Sequence, residues 1–289
     1  MRRLLISSVA LALAAGGAPA VAQVADSVAP TTAGQVAESE DARLAAFFDQ
    51  AFQEAIALSP QSMTALGMKT DYDKLDQNND AAAARSLALS EAQLARMKAG
   101  FDYDALSPQS QLSWRLFEHG VVQDRLSNQW RKWGFQFAAN GNPTTGLPVF
   151  MINNHRVDTV EDAEAYVARL IDAERAMGDV AAELRDRAAR GVISPIFVFE
   201  PSKAATAGVI TGAPFDDGAD NPVWADFQKK VGALDADEAT KARLLDEGRG
   251  ALSGPFKRGY DGVLAALDEV EAQADRNEGV WRLPDGEAY

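Results

Sequence analysis

Cysteine is absent from the 289-residue chain, and histidine occurs only at His119 and His155. Without cysteine there is no disulfide, no thiolate metal site, no cysteine nucleophile and no lipid-modified N-terminal cysteine. A catalytic zinc takes three protein ligands, commonly two or more of them histidine, and two histidines far apart in sequence do not supply that set. Common catalytic signatures are missing as well. There is no His-Glu-x-x-His, no Gly-x-Ser-x-Gly, no Gly-rich phosphate loop followed by Lys-Ser/Thr, and no dinucleotide fingerprint. Positive charge is scarce, with 28 Lys and Arg against 42 Asp and Glu. A net charge of −14 argues against nucleic acid and anionic membrane surfaces as partners.

The apolar run Leu4 to Ala15 is too short to span a bilayer. It follows Arg2 and Arg3 and precedes Ala20-Val21-Ala22, a small-residue cleavage site before Gln23. Residues 1–22 therefore read as a secretory signal peptide. Its removal takes away two arginines and no acid, which moves the net charge from −14 to −16. An exported chain without cysteine and without an anchor reads as a soluble periplasmic or secreted protein. Residues 23–40, rich in Ala, Val, Ser, Thr and Pro without periodicity, read as a flexible leader. Residues 41–289 read as a helical domain.

What is present is helical periodicity. Ala163, Val167, Leu170, Met177, Ala181, Leu184 and Ala188 recur at steps of three and four or their sum, on one face of a long helix over 159–190. Thr159 or Asp158 caps it, Glu161 and Asp162 suit its first turn, and Gly191 stops it. The phase predicts Leu170 and Leu184 buried and Glu164, Asp172, Asp179 and Asp186 exposed. Glu174 interrupts the apolar row, so it lies at the stripe's edge or pairs with a cation from a neighbouring element.

Around this spine the pattern predicts helices over about 41–58, from Ser59-Pro60 to Gly67, from Asp80 as cap to about Lys98, and from Ser107-Pro108 onward. In the last of these Leu112, Leu116, His119, Leu126, Trp130 and Trp133 share one face, which places His119 in the core. Gly141, Pro143, Gly146 and Pro148 make 140–157 an ordered loop or a short strand pair. The prolines and glycines of 192–221 leave room for a short helix near 202–207. Further helices start at Asn221-Pro222 and near Asp235, and a break at Ser253-Gly254-Pro255 precedes the last one. The class is all-α, an irregular multi-helix bundle with two long ordered loops.

The candidate site residues are Asn153, Asn154, His155 and Arg156, a polar cluster in an irregular loop just before the spine, where they could touch a substrate. The same cluster could instead satisfy loop backbone groups. The acids Asp71, Asp73, Asp76 and Asp80, and Asp216, Asp217 and Asp220, lack the glycine and glutamate register of a calcium loop. No residue of this chain is assigned a catalytic or metal-binding role.

Pro148-Val149-Phe150-Met151, then His155, then Thr159 through Leu170 resembles a segment of the bacterial domain-of-unknown-function family numbered 885. Ser59-Pro60 with Gly67, Asp71 to Leu75, Arg190-Gly191-Val192 with Ser194-Pro195, and Gly279 to Tyr289 match further motifs of that family in order. Members resemble helical zinc metallopeptidases roughly twice this length, with a histidine-glutamate metal motif in the second half and a substrate cleft between halves. The resemblance implies that this chain is the N-terminal, non-catalytic half of such a hydrolase, with zinc expected in the other half. The partner is then a peptide-like substrate. The alternative is a stand-alone non-catalytic helical binding protein of the periplasm.

Overall fold

Capping residues set the helix starts. The computed structural model describes residues 39–276 and 279–288. The signal peptide expected over 1–22, and the expected leader as far as residue 38, lie outside the described residues. From there the chain forms α1 (Glu40–Ile56), α2 (Pro60–Ala65), α3 (Asp80–Gly100), α4 (Pro108–Gln129), α5 (Gly146–Asn153), α6 (Val160–Ala189), α7 (Phe199–Val209), α8 (Pro222–Gly232), α9 (Glu238–Ala251) and α10 (Lys257–Glu271). Ser59, Asn79, Ser107, Thr159, Asn221 and Asp237 each accept a hydrogen bond from a backbone N–H of the first turn that follows. Asn79, not Asp80, caps α3. No β-strand occurs among the described residues, and the class is all-α, as expected.

α6 is the spine. A capping box at Thr159 and Asp162 opens it. Gly191, at φ 80°, closes it, with Val192 N–H donating to the Arg187 carbonyl at 2.9 Å. All seven residues of the expected apolar stripe are buried. α10 lies along that stripe at close range: a Cβ on Gly259 would sit 2.9 Å from Glu174 Cα and 3.0 Å from the Ala173 carbonyl oxygen. Only glycine fits there. Beside it Arg258 forks onto Glu174 at 2.9 and 2.8 Å, so of the two alternatives for that acid the pairing with a neighbouring cation is the one found.

Several boundaries differ from the sequence reading. Region 140–157 carries α5, because Gly146 and Pro148 fall in the first turn, where a missing N–H costs no helix hydrogen bond. The strand-pair alternative survives only as one bridge between Ala138 and Gly141. α7 begins at Phe199 and so is longer than 202–207; Pro201 sits in its first turn. Ser253-Gly254-Pro255 does not break the chain's course, since Leu252–Phe256 form a π-helical turn that joins α9 directly to α10.

α1, α3 and α4 form a second, smaller core around Leu44, Leu94, Met97, Leu106, Trp114 and Val121. Its α4 faces the opposite way from the expectation. Trp114 and Val121 point inward, whereas Leu112, Leu116, Leu126 and His119 are exposed. The aromatic side won, because Trp114 and Phe117 pack on Tyr103, Phe47 and Phe48.

The exposed-acid expectation for the spine also needs correction. Glu164 is exposed, but Asp172, Asp179 and Asp186 are half-buried and belong to a second, charged stripe along α6. Asp172 accepts from Leu75 N–H at 3.2 Å, and Arg175 donates to the carbonyls of Leu75 and Asp76 while forking onto Asp172. Asp179 accepts from Asn79 and Arg175. Further along, the buried Lys132 ammonium joins Glu183, Asp186 and Asp80, and Arg187 donates to the Arg131 carbonyl. These side chains grip backbone, and the periodicity of apolar residues carries no record of that.

Truncating Leu170 or Leu184 to alanine should cost about 2–5 kcal/mol in urea unfolding. Asp172→Ala should cost about 1–3 kcal/mol, well above a surface change, because it strands a partly buried N–H and Arg175. Gly259→Ala should destabilise by about 1–3 kcal/mol. Gly262→Ala in the same helix, where a Cβ meets nothing within 4 Å, should be neutral or stabilise by up to about 1 kcal/mol.

Candidate functional site

The loop between α5 and α6 gathers the polar residues singled out from the sequence. Asn153 and Arg156 are exposed, Asn154 is half-buried and His155 is 1% exposed. α5 delivers the loop and α6 receives it, so the histidine ring is inserted between the two and cannot reach solvent.

His155 Nε2 lies 3.0 Å from the Asp162 carbonyl oxygen, and Nδ1 lies 2.9 Å from Arg169 Nη1. A guanidinium has only donors, so Nδ1 must accept and Nε2 must carry the proton that the carbonyl receives. This fixes a neutral tautomer. Burial pulls the imidazole's affinity for a second proton down to about 3, and the charges of Arg169 and Lys230 act in the same direction. With both nitrogens engaged, the ring is not available as a metal ligand or general base.

Arg169 is the unexpected partner. It is fully buried, at 0% exposure, and no carboxylate among the described residues bonds to it. Nε donates to the Lys74 carbonyl at 2.9 Å and Nη2 to Thr64 Oγ1 at 2.7 Å. The faces of Tyr72 and Phe150 lie 4.9 and 5.1 Å from the guanidinium carbon. Burial pulls its pKa down to about 10, so it remains charged at neutral pH. Tyr72, whose ring is tilted against that of His155 with the centroids 4.2 Å apart, donates to the Arg156 carbonyl and accepts from the Arg156 N–H at 2.8 Å. The Arg156 backbone is thus held while its side chain is exposed.

Two neighbours complete the cluster. Burial pushes the Asp162 carboxyl up, but Lys69 at 2.7 Å and the N–H groups of Asp158 and Thr159 hold it below its usual value. On the far side Lys230 pairs with Asp226 at 2.7 Å and donates to the Met151 and Ile152 carbonyls at the end of α5. Tyr166 OH donates to the same Asp226 at 3.2 Å. The arrangement ties α2, the 69–76 loop, α5, α6 and α8 to one point.

Sequence reasoning found His155 but not Arg169, Thr64, Tyr72 or Lys230. An arginine one step off an apolar stripe reads as surface, and the carbonyls that receive it come from a loop more than 90 residues away in sequence. Among the described residues no three of His, Cys, Asp and Glu converge to hold a metal ion. The donor set here, a neutral histidine locked to an arginine, does not fit zinc.

Comparison with known proteins places the fold. The sequence profile of a family described as "Bacterial protein of unknown function (DUF885)" matches residues 60–289, most of the chain. The crystal structure of a candidate lipoprotein from Colwellia psychrerythraea superimposes with a TM-score of 0.72 at 17% identity. The match covers 87% of this chain and 45% of that one, so the matched part spans less than half the length of that protein. At that identity the likeness concerns the fold alone. No curated protein matches the chain.

The tautomer of His155 has a consequence for acid stability. Its folded-state pKa of about 3 lies below the ordinary value of 6.5, so the unfolded chain takes up a proton between the two and the folded chain does not. Stability held above pH 6.5 is therefore lost as pH falls toward 3, with a slope of up to about 1.4 kcal/mol per pH unit. His155→Gln should flatten the slope of unfolding free energy between about pH 6.5 and 5.5, above the range in which ordinary carboxylates titrate. An unchanged slope in urea titrations would show that the imidazole is not held neutral.

Proposed function

The chain belongs to the DUF885 family of bacterial proteins, and on that premise we propose that it is the N-terminal, non-catalytic half of an exported zinc-dependent peptidase-like hydrolase, forming one wall of a substrate cleft. The observation that carries this reading is the engagement of both ring nitrogens of His155. The polar loop that could have held a ligand or a base is occupied by structural bonds to Arg169 and Asp162. In this reading the metal and the general base belong to a segment beyond Tyr289. The share of the solved neighbour that this chain matches, 45%, supports a longer parent protein. Asn153, Asn154 and Arg156 remain the residues of the loop with polar groups that a peptide could reach. Residues 1–22 are proposed as the signal that exports it, and no described helix is long and apolar enough to cross a membrane.

A second reading, a helical periplasmic binding protein complete in itself, is favoured by the exposed leucines of α4. Two experiments separate the readings. Sequence past the codon for Tyr289 should continue in frame into a helix with a histidine-glutamate motif; an immediate stop codon would overturn the half-protein reading. The purified chain should hydrolyse no peptide, with or without added zinc. Zinc-dependent turnover lost in His155→Ala would overturn the structural role given to that ring.

A further inference from the structure

Between the C-terminal end of α1 and the facing sides of α3 and α4 runs a groove of about 360 Å3, floored by Leu58, Leu89, Leu116, Phe117 and Val121. It lies on the smaller core, and none of its lining residues bonds to Arg169. The volume falls within the range of small-ligand sites, and the lining is mainly apolar, with Ser86, Ser90, Gln93 and Asp124 as its polar members. Leu58 and Leu116 are 44% and 61% exposed, so the groove opens to solvent. From Leu116 the apolar surface continues along α4 through Leu112 and Leu126, over about 21 Å at the α-helical rise.

Charge distinguishes the rim. Most charged groups on the flanking helices are already paired: Arg96 with Glu54, Lys98 with Glu118, and Arg125 with Glu91. Asp124 lines the groove and has no partner among the described residues. The chain as a whole carries −14. An apolar trough of this length with an uncompensated carboxylate at its edge is complementary to a helix that presents apolar residues at steps of three and four, flanked by Lys or Arg.

We propose that the α1–α3–α4 groove and the adjoining leucine face of α4 form a docking site for a cationic amphipathic helical segment of another polypeptide. The site stands apart from the hydrolase reading and neither needs it nor supports it. Leu58, Leu116 and Leu126 take the apolar side chains, and Asp124 meets a cation at the groove's edge. The occupant covers about four helical turns of α4.

Fluorescence anisotropy with two labelled 18-residue helical peptides tests this, one built of Leu and Lys and the other of Leu and Glu on the same apolar pattern. The Leu/Lys peptide should bind the purified chain at least tenfold more tightly than the Leu/Glu peptide. Leu116→Asp should weaken its binding at least tenfold, although the variant adds a negative charge that would strengthen unspecific attraction to an acidic protein. Asp124→Lys should reverse the preference between the peptides. Circular dichroism and thermal unfolding confirm that each variant folds, which the exposure of Leu116 makes the expected result. No binding at 100-fold excess of chain over peptide, or binding unchanged or tighter in Leu116→Asp, overturns the proposal. A chain that is dimeric by light scattering and turns monomeric in Leu116→Asp also overturns it, since the face would then belong to a second copy.

Discussion

An arginine sealed in the protein interior, with no carboxylate partner among the described residues, is the constraint on which the rest of this structure depends. Removing a guanidinium from water costs several kcal/mol unless its donors are met, and Arg169 meets them with two elements far apart in sequence and one neutral ring. Each acceptor is fixed by something else. His155 is oriented by the Asp162 carbonyl, Thr64 by the short helix α2, and the Lys74 carbonyl by a loop that Asp172 and Arg175 hold down. The cluster therefore behaves as a unit. Loss of one acceptor leaves a buried charge under-satisfied, and the cost falls on all of the elements that converge there.

The spine helix α6 explains how two cores of different character are joined. One side of it is an apolar stripe packed on α10, the π turn and α9. The other is a row of charged side chains that reach carbonyls and N–H groups of the 74–79 loop and the end of α4. Apolar packing tolerates small shifts in register, whereas a fork of hydrogen bonds to particular backbone atoms does not. The hydrophobic side supplies most of the stabilisation. The charged side fixes where the smaller α1–α3–α4 core sits on it.

How much of this was legible in the sequence follows from what periodicity encodes. The bounds of α6, its caps and its apolar face could be read because Thr159, Asp162, Gly191 and the recurring Leu, Met and Ala act locally. The pairing of Glu174 was one of the alternatives the pattern left open, beside a plain edge position, and the structure supplies its cation in Arg258. α4 was misread because two of its faces are apolar, and pattern alone does not say which one the aromatic residues will claim. The spine acids were misread because a residue that bonds to distant backbone looks like any surface acid. Within the candidate loop the sequence showed the histidine and not its partner, since the contact of His155 with Arg169 spans a helix boundary and turns on a tautomer.

The π-helical turn at Leu252–Phe256 gives the long α9–α10 rod a joint that absorbs length. A π turn accommodates one residue more than an α turn does over the same stretch, so the two segments keep separate phases against α6. Loss of one residue within the turn would convert it to ordinary α-helix and leave both segments in place. Loss of one residue within α10 would instead rotate every following side chain by about 100°, carrying Val263, Leu267 and Val270 off the spine. A one-residue change in the length of this rod is thus absorbed at the π turn and disruptive within α10.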